Sequence, residues 1–427
     1  MNSSQLSPRV GHYRWRIIAL LFFATTINYI DRQVLGMLKP IITDDIHISE
    51  ADYGYIVSAF QAAYAVGLLF IGRIIDKFGT RISYAVAIVV WSLAGCFHAA
   101  ARGALGFGIA RFFLGLGESA NFPAAIKATA EWFPVKERAL ATGIFNAGSN
   151  IGAVVSPIIV TCVTVAYGWQ MAFIITGALG LVWMVFWLWC YRVPREAKGL
   201  SRAEYDYINQ DEKTASAAAP EEEGPRPTWW ALMKQRSTVG ICLARFVCDW
   251  VWWFFLFWTP DFLEKAYGVH IQQMVLPLIV IYTFSSFGGI AGGYISSRLI
   301  ALGRSVGFAR RTGLLVCALL VIPVLLIPGI GSLWGSILII SLACFAHQGW
   351  ASNIYTVVSD YYPKSSVATM TSMSSFAGSV GGVLAASFVG NVLEITGSYF
   401  VVFMIAGFAY LVAWALLQAF LPRRARA

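Results

Sequence analysis

Six ionisable side chains stand inside long apolar runs: Asp31 and Arg32, Arg111 and Glu118, Arg245 and Asp249. A charge at bilayer depth costs about 2.5 to 3.5 kcal/mol even on the gentlest insertion scale, so each needs a partner or a task. Arg111 and Glu118 are seven residues apart, two helical turns, and point to one face with Gly115 between them. Asn28 and Arg32 are four apart, and Tyr29 and Arg32 three apart. That spacing makes a polar stripe which turns Arg32 inward and leaves Asp31 on the adjacent direction. Arg245 and Asp249 are four apart, so they can pair within one helix, or the arginine can read a second carboxylate. The chemistry on offer is anion binding by guanidinium groups and proton exchange at buried carboxyls. Burial opposes the carboxylate charge and a neighbouring arginine favours it, so a small rearrangement can load or unload a proton.

Neutral groups that could satisfy a polar solute as it leaves water accompany these charges. Tyr29, Tyr64, Asn146 and Asn150 come from the first part of the chain, the two asparagines four apart on one helix face. His347, Gln348, Trp350 and Asn353 come from a later run. The competing reading is that buried amides bridge helices and that Trp anchors at the membrane surface. Trp250, Trp252, Trp253 and Trp258 read as such a surface belt, with one ring free to cover a cavity.

The elements that position these residues follow from composition. Of 427 residues, 58% are hydrophobic and 12% charged, against about 25% charged in soluble domains. The mean hydropathy is +0.66. Continuous apolar stretches such as Leu181 to Tyr191 lack the alternation of a barrel strand and read as helix. Twelve runs of spanning length can be drawn, at 16–38, 52–73, 82–101, 103–130, 138–165, 170–192, 237–265, 271–298, 308–329, 332–358, 366–391 and 397–421. Lys and Arg crowd the even-numbered turns and both tails, leaving Lys39, Arg102 and Lys265 on the other side, which predicts cytoplasmic N- and C-termini. The first run contains Asp31 and Arg32 and no small-residue cleavage site, so it is a retained span. The net charge of +9 is thereby explained by topology, without nucleic acid.

EWFP at 131–134 recurs as DYYP at 360–363, and AGSNIG at 147–152 recurs as AGSVGG at 377–382. The repeat predicts two pseudo-symmetric six-helix bundles around a central cavity, an all-α membrane protein. The halves are drawn at 1–192 and 237–427. Between them, 193–236 contains TASAAAPEEEGPRP, too poor in apolar residues to fold alone, and reads as a cytoplasmic linker. All seven Cys lie in apolar runs without paired metal spacing, and no phosphate-cradling or nucleophile motif occurs. No enzyme activity, metal or organic cofactor is expected.

GRIIDKFGTR at 72–81 resembles the signature loop of the major facilitator superfamily, with its Gly72, Asp76, Gly79 and Arg81, and reads as a gate loop. The corresponding GGYISSRLIALGR at 292–304 has Ser297 where the acid would stand, which predicts a weaker latch in the second half. INYIDR at 27–32, RFFLGLGESANFPAAIKATAEWFPVKERALATGIFNAGSNIGA at 111–153, WWFFLFWTPDFL at 252–263 and HQGWASN at 347–353 resemble the anion:cation symporter family, within it the bacterial hexuronate permeases. The resemblance implies proton-coupled import of a sugar-acid anion such as glucuronate or galacturonate across the bacterial inner membrane, by a monomer that alternates access. An aldonate such as galactonate, a tartrate or an aromatic carboxylate is the alternative cargo, and a non-transporting nutrient receptor a more remote one. By matching motif positions, Arg32 corresponds to the substrate-binding arginine and Asp31 and Glu118 to the proton-responsive acids, with Arg111 linking them. Protonation of Glu118 is then expected to free Arg111.

Overall fold

A chain this apolar must satisfy its backbone polar groups within each segment, which leaves helix as the spanning element. The computed structural model describes residues 11–210, 229–362 and 364–422, without the side chains of 76, 135, 136, 138–140, 229, 359 and 364–369. The helices are α1 (Tyr13–Ile46), α2 (Glu50–Phe78), α3 (Thr80–Phe97), α4 (Ala104–Glu118), α5 (Asn121–Trp132), α6 (Val135–Tyr167), α7 (Trp169–Cys190), α8 (Arg202–Ile208), α9 (Trp229–Met233), α10 (Arg236–Tyr267), α11 (Ile271–Ala301), α12 (Val306–Val321), α13 (Leu333–Tyr361), α14 (Lys364–Thr396) and α15 (Phe400–Phe420). A 3-10 segment, Ile322–Gly329, prolongs α12.

Among the described residues, ten helices are long and apolar enough to cross a membrane on those grounds alone. The remaining two of the twelve spans are α1, whose apolar run is interrupted by Asn28, Asp31, Arg32 and Gln33, and the α4–α5 pair. That pair corrects the sequence reading of one continuous span over 103–130: a turn at Ser119 and Ala120 ends α4 at Glu118. The two spans least fitted for a bilayer are thus those that carry Asp31, Arg32, Arg111 and Glu118.

Packing repeats between the halves. In the first, α1 packs on α6, α2 on α4, and α3 on α7; in the second, α10 packs on α14, α11 on α13, and α12 on α15. Glycines set the close crossings: a Cβ at Gly148 or Gly152 would strike the carbonyls of Phe22 or Thr26, and one at Gly288 would strike that of Phe345. Across the halves α2 meets α14, α6 meets α11 and α1 meets α10, the contacts a pseudo-two-fold axis would generate. Large apolar side chains such as Phe70, Leu105, Trp189, Ile290 and Ile395 point outward and form the lipid-facing surface.

At the end that carries both termini, Gly79 closes the turn from α2 into α3 with φ of 79°, a left-handed value that favours glycine. Gly72 meets nothing within 4 Å of where its Cβ would be. Arg81 donates to the carbonyl of Leu188 at 2.6 Å, a bond internal to the first half. The side chain of Asp76 lies outside the described residues.

Of the segment drawn as a linker, 211–228 is likewise outside the described residues. Its earlier part is ordered on the first half. The Glu204 carboxylate of α8 accepts from the backbone N–H groups of Tyr13 and Arg14, at 3.1 Å each, and so caps the start of α1. Buried Arg14 then pairs with Glu204 at 3.1 Å and Glu137 at 2.9 Å.

Candidate functional site

The polar stripe of α1 and the inward face of α4 meet at Arg32. Its Nε and Nη2 both reach one oxygen of Glu118, at 2.8 and 2.7 Å, and neither residue is more than 1% exposed. Nη2 also approaches Asn28 Oδ1 at 3.4 Å. Four rings surround the guanidinium carbon: Tyr29 at 4.9 Å, Tyr64 at 5.1 Å, and Phe60 and Trp253 at 5.3 Å. The cage supplies cation–π attraction where water is excluded. Trp253 comes from the other half, so the site straddles the seam between bundles.

Glu118 pairs with Arg32 and not with Arg111, which corrects the expected pairing. Seven residues along a helix separate Arg111 and Glu118 by about 10.5 Å of rise, well beyond the spacing of facing neighbours. Arg111 instead donates both terminal nitrogens to the backbone carbonyl of Arg32, at 3.2 and 3.3 Å. It braces α1 against α4. Gly115 lets α4 lie close against α2, because a Cβ there would strike the carbonyl of Phe60. Asp31 is buried with neither oxygen hydrogen-bonded in ordinary geometry, and Thr176 of α7 stands near it. The second oxygen of Glu118 is also unpaired.

In the second half Arg245 and Asp249 pair within α10 at 2.7 Å, as their spacing allows. Arg245 also donates to Ser375 at 2.9 Å, to Ser374 at 3.3 Å and to the Tyr355 hydroxyl at 3.3 Å. Tyr355 is 43% exposed, and its ring lies 4.9 Å from the Arg245 guanidinium carbon. Asn146 is exposed and Asn150 half-buried. His347 stacks on Trp252, ring centroids 5.1 Å apart, and its Nδ1 is 2.6 Å from the Tyr410 hydroxyl. Gln348 is half-buried.

Other residues singled out in the sequence lie elsewhere. Asn353 is fully buried, donates to the carbonyls of Gly292 and Gly349 at 2.9 Å, and accepts from Ser296; it ties α11 to α13. Trp350 is buried edge-on against Tyr410, with centroids 5.4 Å apart. The tryptophans of α10 are no surface belt: they fall mid-helix, where Trp258 packs on Tyr53 and Trp252 and Trp253 serve His347 and Arg32.

One constellation went unread. Lys39 of α1 is buried between Glu50 of α2 and Asp261 of α10, at 2.7 Å from each. Lys265 pairs with Asp261 at 3.2 Å and with Glu50, and Tyr399 donates to Asp261. Nearby, the Tyr53 hydroxyl donates to the Phe257 carbonyl at 3.0 Å, and Ser58 bonds Val383 at 3.0 Å and Ser387 at 2.7 Å. These bonds close the seam at the end away from the termini. The signal was present in Lys39 and Lys265, two of the few basic residues on that side, and in Asp261 within an apolar run.

A recess of about 600 Å³ lies away from these charges, where α10, α14 and α15 face outward. Its lining, including Phe246, Trp250, Phe388 and Phe408, offers nothing to hold an anion.

Twelve spans in two pseudo-symmetric bundles, with buried charges at the seam between them, define a membrane transporter. The chain belongs to the Major Facilitator Superfamily, whose family model matches residues 21–386. It is 32% identical over 416 residues to a hexuronate transporter of Escherichia coli (strain K12), covering 96% of this chain and 95% of that protein. It is 36% identical over 287 residues to a galacturonate transporter of Dickeya chrysanthemi, covering 67% of this chain and 82% of that protein. Among solved structures, a bacterial homolog of the human lysosomal transporter Spinster superposes with a TM-score of 0.74 at 16% identity, over 98% of this chain and 100% of that one. The chain is a multi-pass membrane transporter and not an enzyme.

Proposed function

We propose that this transporter is a proton-coupled symporter that imports a hexuronate, glucuronate or galacturonate, by alternating access. The observation that carries the reading is the Arg32–Glu118 pair inside its aromatic cage. A buried guanidinium satisfied by an internal carboxylate is a site where a substrate carboxylate competes for the same partner. A proton on Glu118 removes that competitor. Arg32 then takes the incoming anion, so that one monoanion moves with one proton and no net charge. Asp31, buried one residue away and facing Thr176 of α7, is the second carboxyl that changes its proton as α1 shifts against α7. Arg111 keeps the two helices in register. Relatives named for hexuronate and galacturonate transport support the cargo.

The end carrying both termini is the cytoplasmic one in this reading, the membrane is the bacterial inner membrane, and the monomer is the working unit. Protons are the coupling ion and no cofactor is used. The Lys39–Glu50–Asp261–Lys265 network is the outer gate, closed here, and Arg245 is the second anion-facing group.

Uptake of radiolabelled glucuronate and galacturonate into proteoliposomes, with an imposed inward proton gradient and a protonophore control, tests this. The expected result is accumulation that the protonophore abolishes. No uptake of either hexuronate sinks the cargo assignment, and competition by galactonate, tartrate and aromatic carboxylates then identifies the replacement.

A further inference from the structure

One face of α2 follows the seam with α14 through Gly54, Ser58 and Gln61, spaced four and three apart. Gly54 meets the backbone at Ala386 and Gly390, and Ser58 bonds Val383 and Ser387. At Gln61 the bonding stops. Its side chain is 0% exposed, yet neither the oxygen nor the nitrogen of its amide has a hydrogen-bond partner. Opposite it stands Gly382, where a Cβ would lie 3.7 Å from the Gln61 amide carbon and 3.4 Å from the Trp253 ring. Gln61 therefore adjoins Trp253, whose ring lies over Arg32, and it is one helical turn from Tyr64 of the same cage.

A buried amide without partners is costly and is commonly a sign that the partner is absent. An amide supplies one acceptor and two donors, which match a hydroxyl that both gives and takes a hydrogen bond. Resting on the sugar-acid reading above, we propose that Gln61 is a specificity-determining residue that hydrogen-bonds ring hydroxyls of a substrate whose carboxylate is held by Arg32. Gly382 leaves the room on the α14 side, and the α2–α14 seam is the one that must part as the bundles rock. Leucine at position 61 has nearly the same volume, so Gln61→Leu removes the hydrogen-bonding groups and little else.

The test compares wild type with Gln61→Leu in two assays. In proteoliposomes, the KM for glucuronate and the inhibition constant of cyclohexanecarboxylate, a ring acid without hydroxyls, are measured side by side. In detergent, thermal unfolding is followed without substrate. Gln61→Leu is expected to raise the glucuronate KM about 10- to 100-fold, the range for one to two lost hydrogen bonds. It should leave the cyclohexanecarboxylate constant within about twofold and unfold at a higher temperature than wild type. A packing role predicts the opposite sign in the unfolding assay. An unchanged glucuronate KM, equal losses for both acids, or a lower unfolding temperature each overturn the assignment while wild-type glucuronate uptake preserves the symporter reading. Absence of wild-type glucuronate uptake defeats both.

Discussion

Each half holds an arginine clasped by a carboxylate beside a tyrosine ring, but the two clasps are built differently. Arg245 and Asp249 lie four residues apart on α10, so their 2.7 Å contact is intrinsic to one helix and survives any movement of that helix as a body. Arg32 and Glu118 stand 86 residues apart on α1 and α4, and their contact exists only while those helices keep their present crossing. A pair within a helix is a fixed feature, whereas a pair between helices reports and controls their relation. In the proposed mechanism the switch therefore belongs to the first half and the anchor to the second. The repeat sharpens the contrast. Glu118 stands thirteen residues before the EWFP sequence, and the residue thirteen before DYYP is His347, which stacks on Trp252 and bonds the Tyr410 hydroxyl.

The largest expected effect is at Arg32. Arg32→Lys loses the two-nitrogen grip on a carboxylate and is expected to lower hexuronate uptake by at least about 100-fold, while Arg245→Lys, which keeps a cation near Asp249, lowers it about tenfold or less. Equal losses at the two sites would erase the distinction between switch and anchor. Glu118→Gln comes next: it is expected to abolish accumulation driven by an inward proton gradient while keeping hexuronate exchange between equal compartments within about threefold of wild type. Full gradient-driven accumulation in Glu118→Gln would remove the proton role from this acid.

Lys39→Met is expected to have an intermediate effect, because it leaves Glu50 and Asp261 to share Lys265 alone. A cysteine placed at Ser58 in that background should label from outside about tenfold faster than in the wild-type background, and an unchanged rate would deny the network its gating role. Asp249→Asn is expected to matter least. It should raise the substrate KM severalfold and leave the dependence on the proton gradient untouched; loss of coupling there would move the switch to the second half.

What the sequence made legible follows the same division. Contacts set by spacing within one helix could be read, and the Arg245–Asp249 pair stands where four residues put it. The signature turn at Gly79, the repeat and the number of spans rest on local pattern or on hydropathy, and they too were readable. Pairings between helices depend on rotation and crossing that no spacing encodes. The seven-residue step correctly sets Arg111 and Glu118 on related faces, yet it could not say that Glu118 reaches across to Arg32. The Lys39 network, the break after Glu118 and the bare amide of Gln61 share that character. Asn353 misled for the opposite reason: a buried amide has the same signature in sequence whether it meets a solute or, as here, three groups of its own fold.

The outer network also bears on membrane voltage. A potential of about 100 mV acts with about 2.3 kcal/mol on each elementary charge carried across it. Lys39 and Glu50 belong to the first half, and Asp261 and Lys265 to the second. When the seam parts, each bundle withdraws one cation with one anion. If this network is the gate proposed above, its opening displaces no net charge, and the membrane potential neither forces it open nor holds it shut.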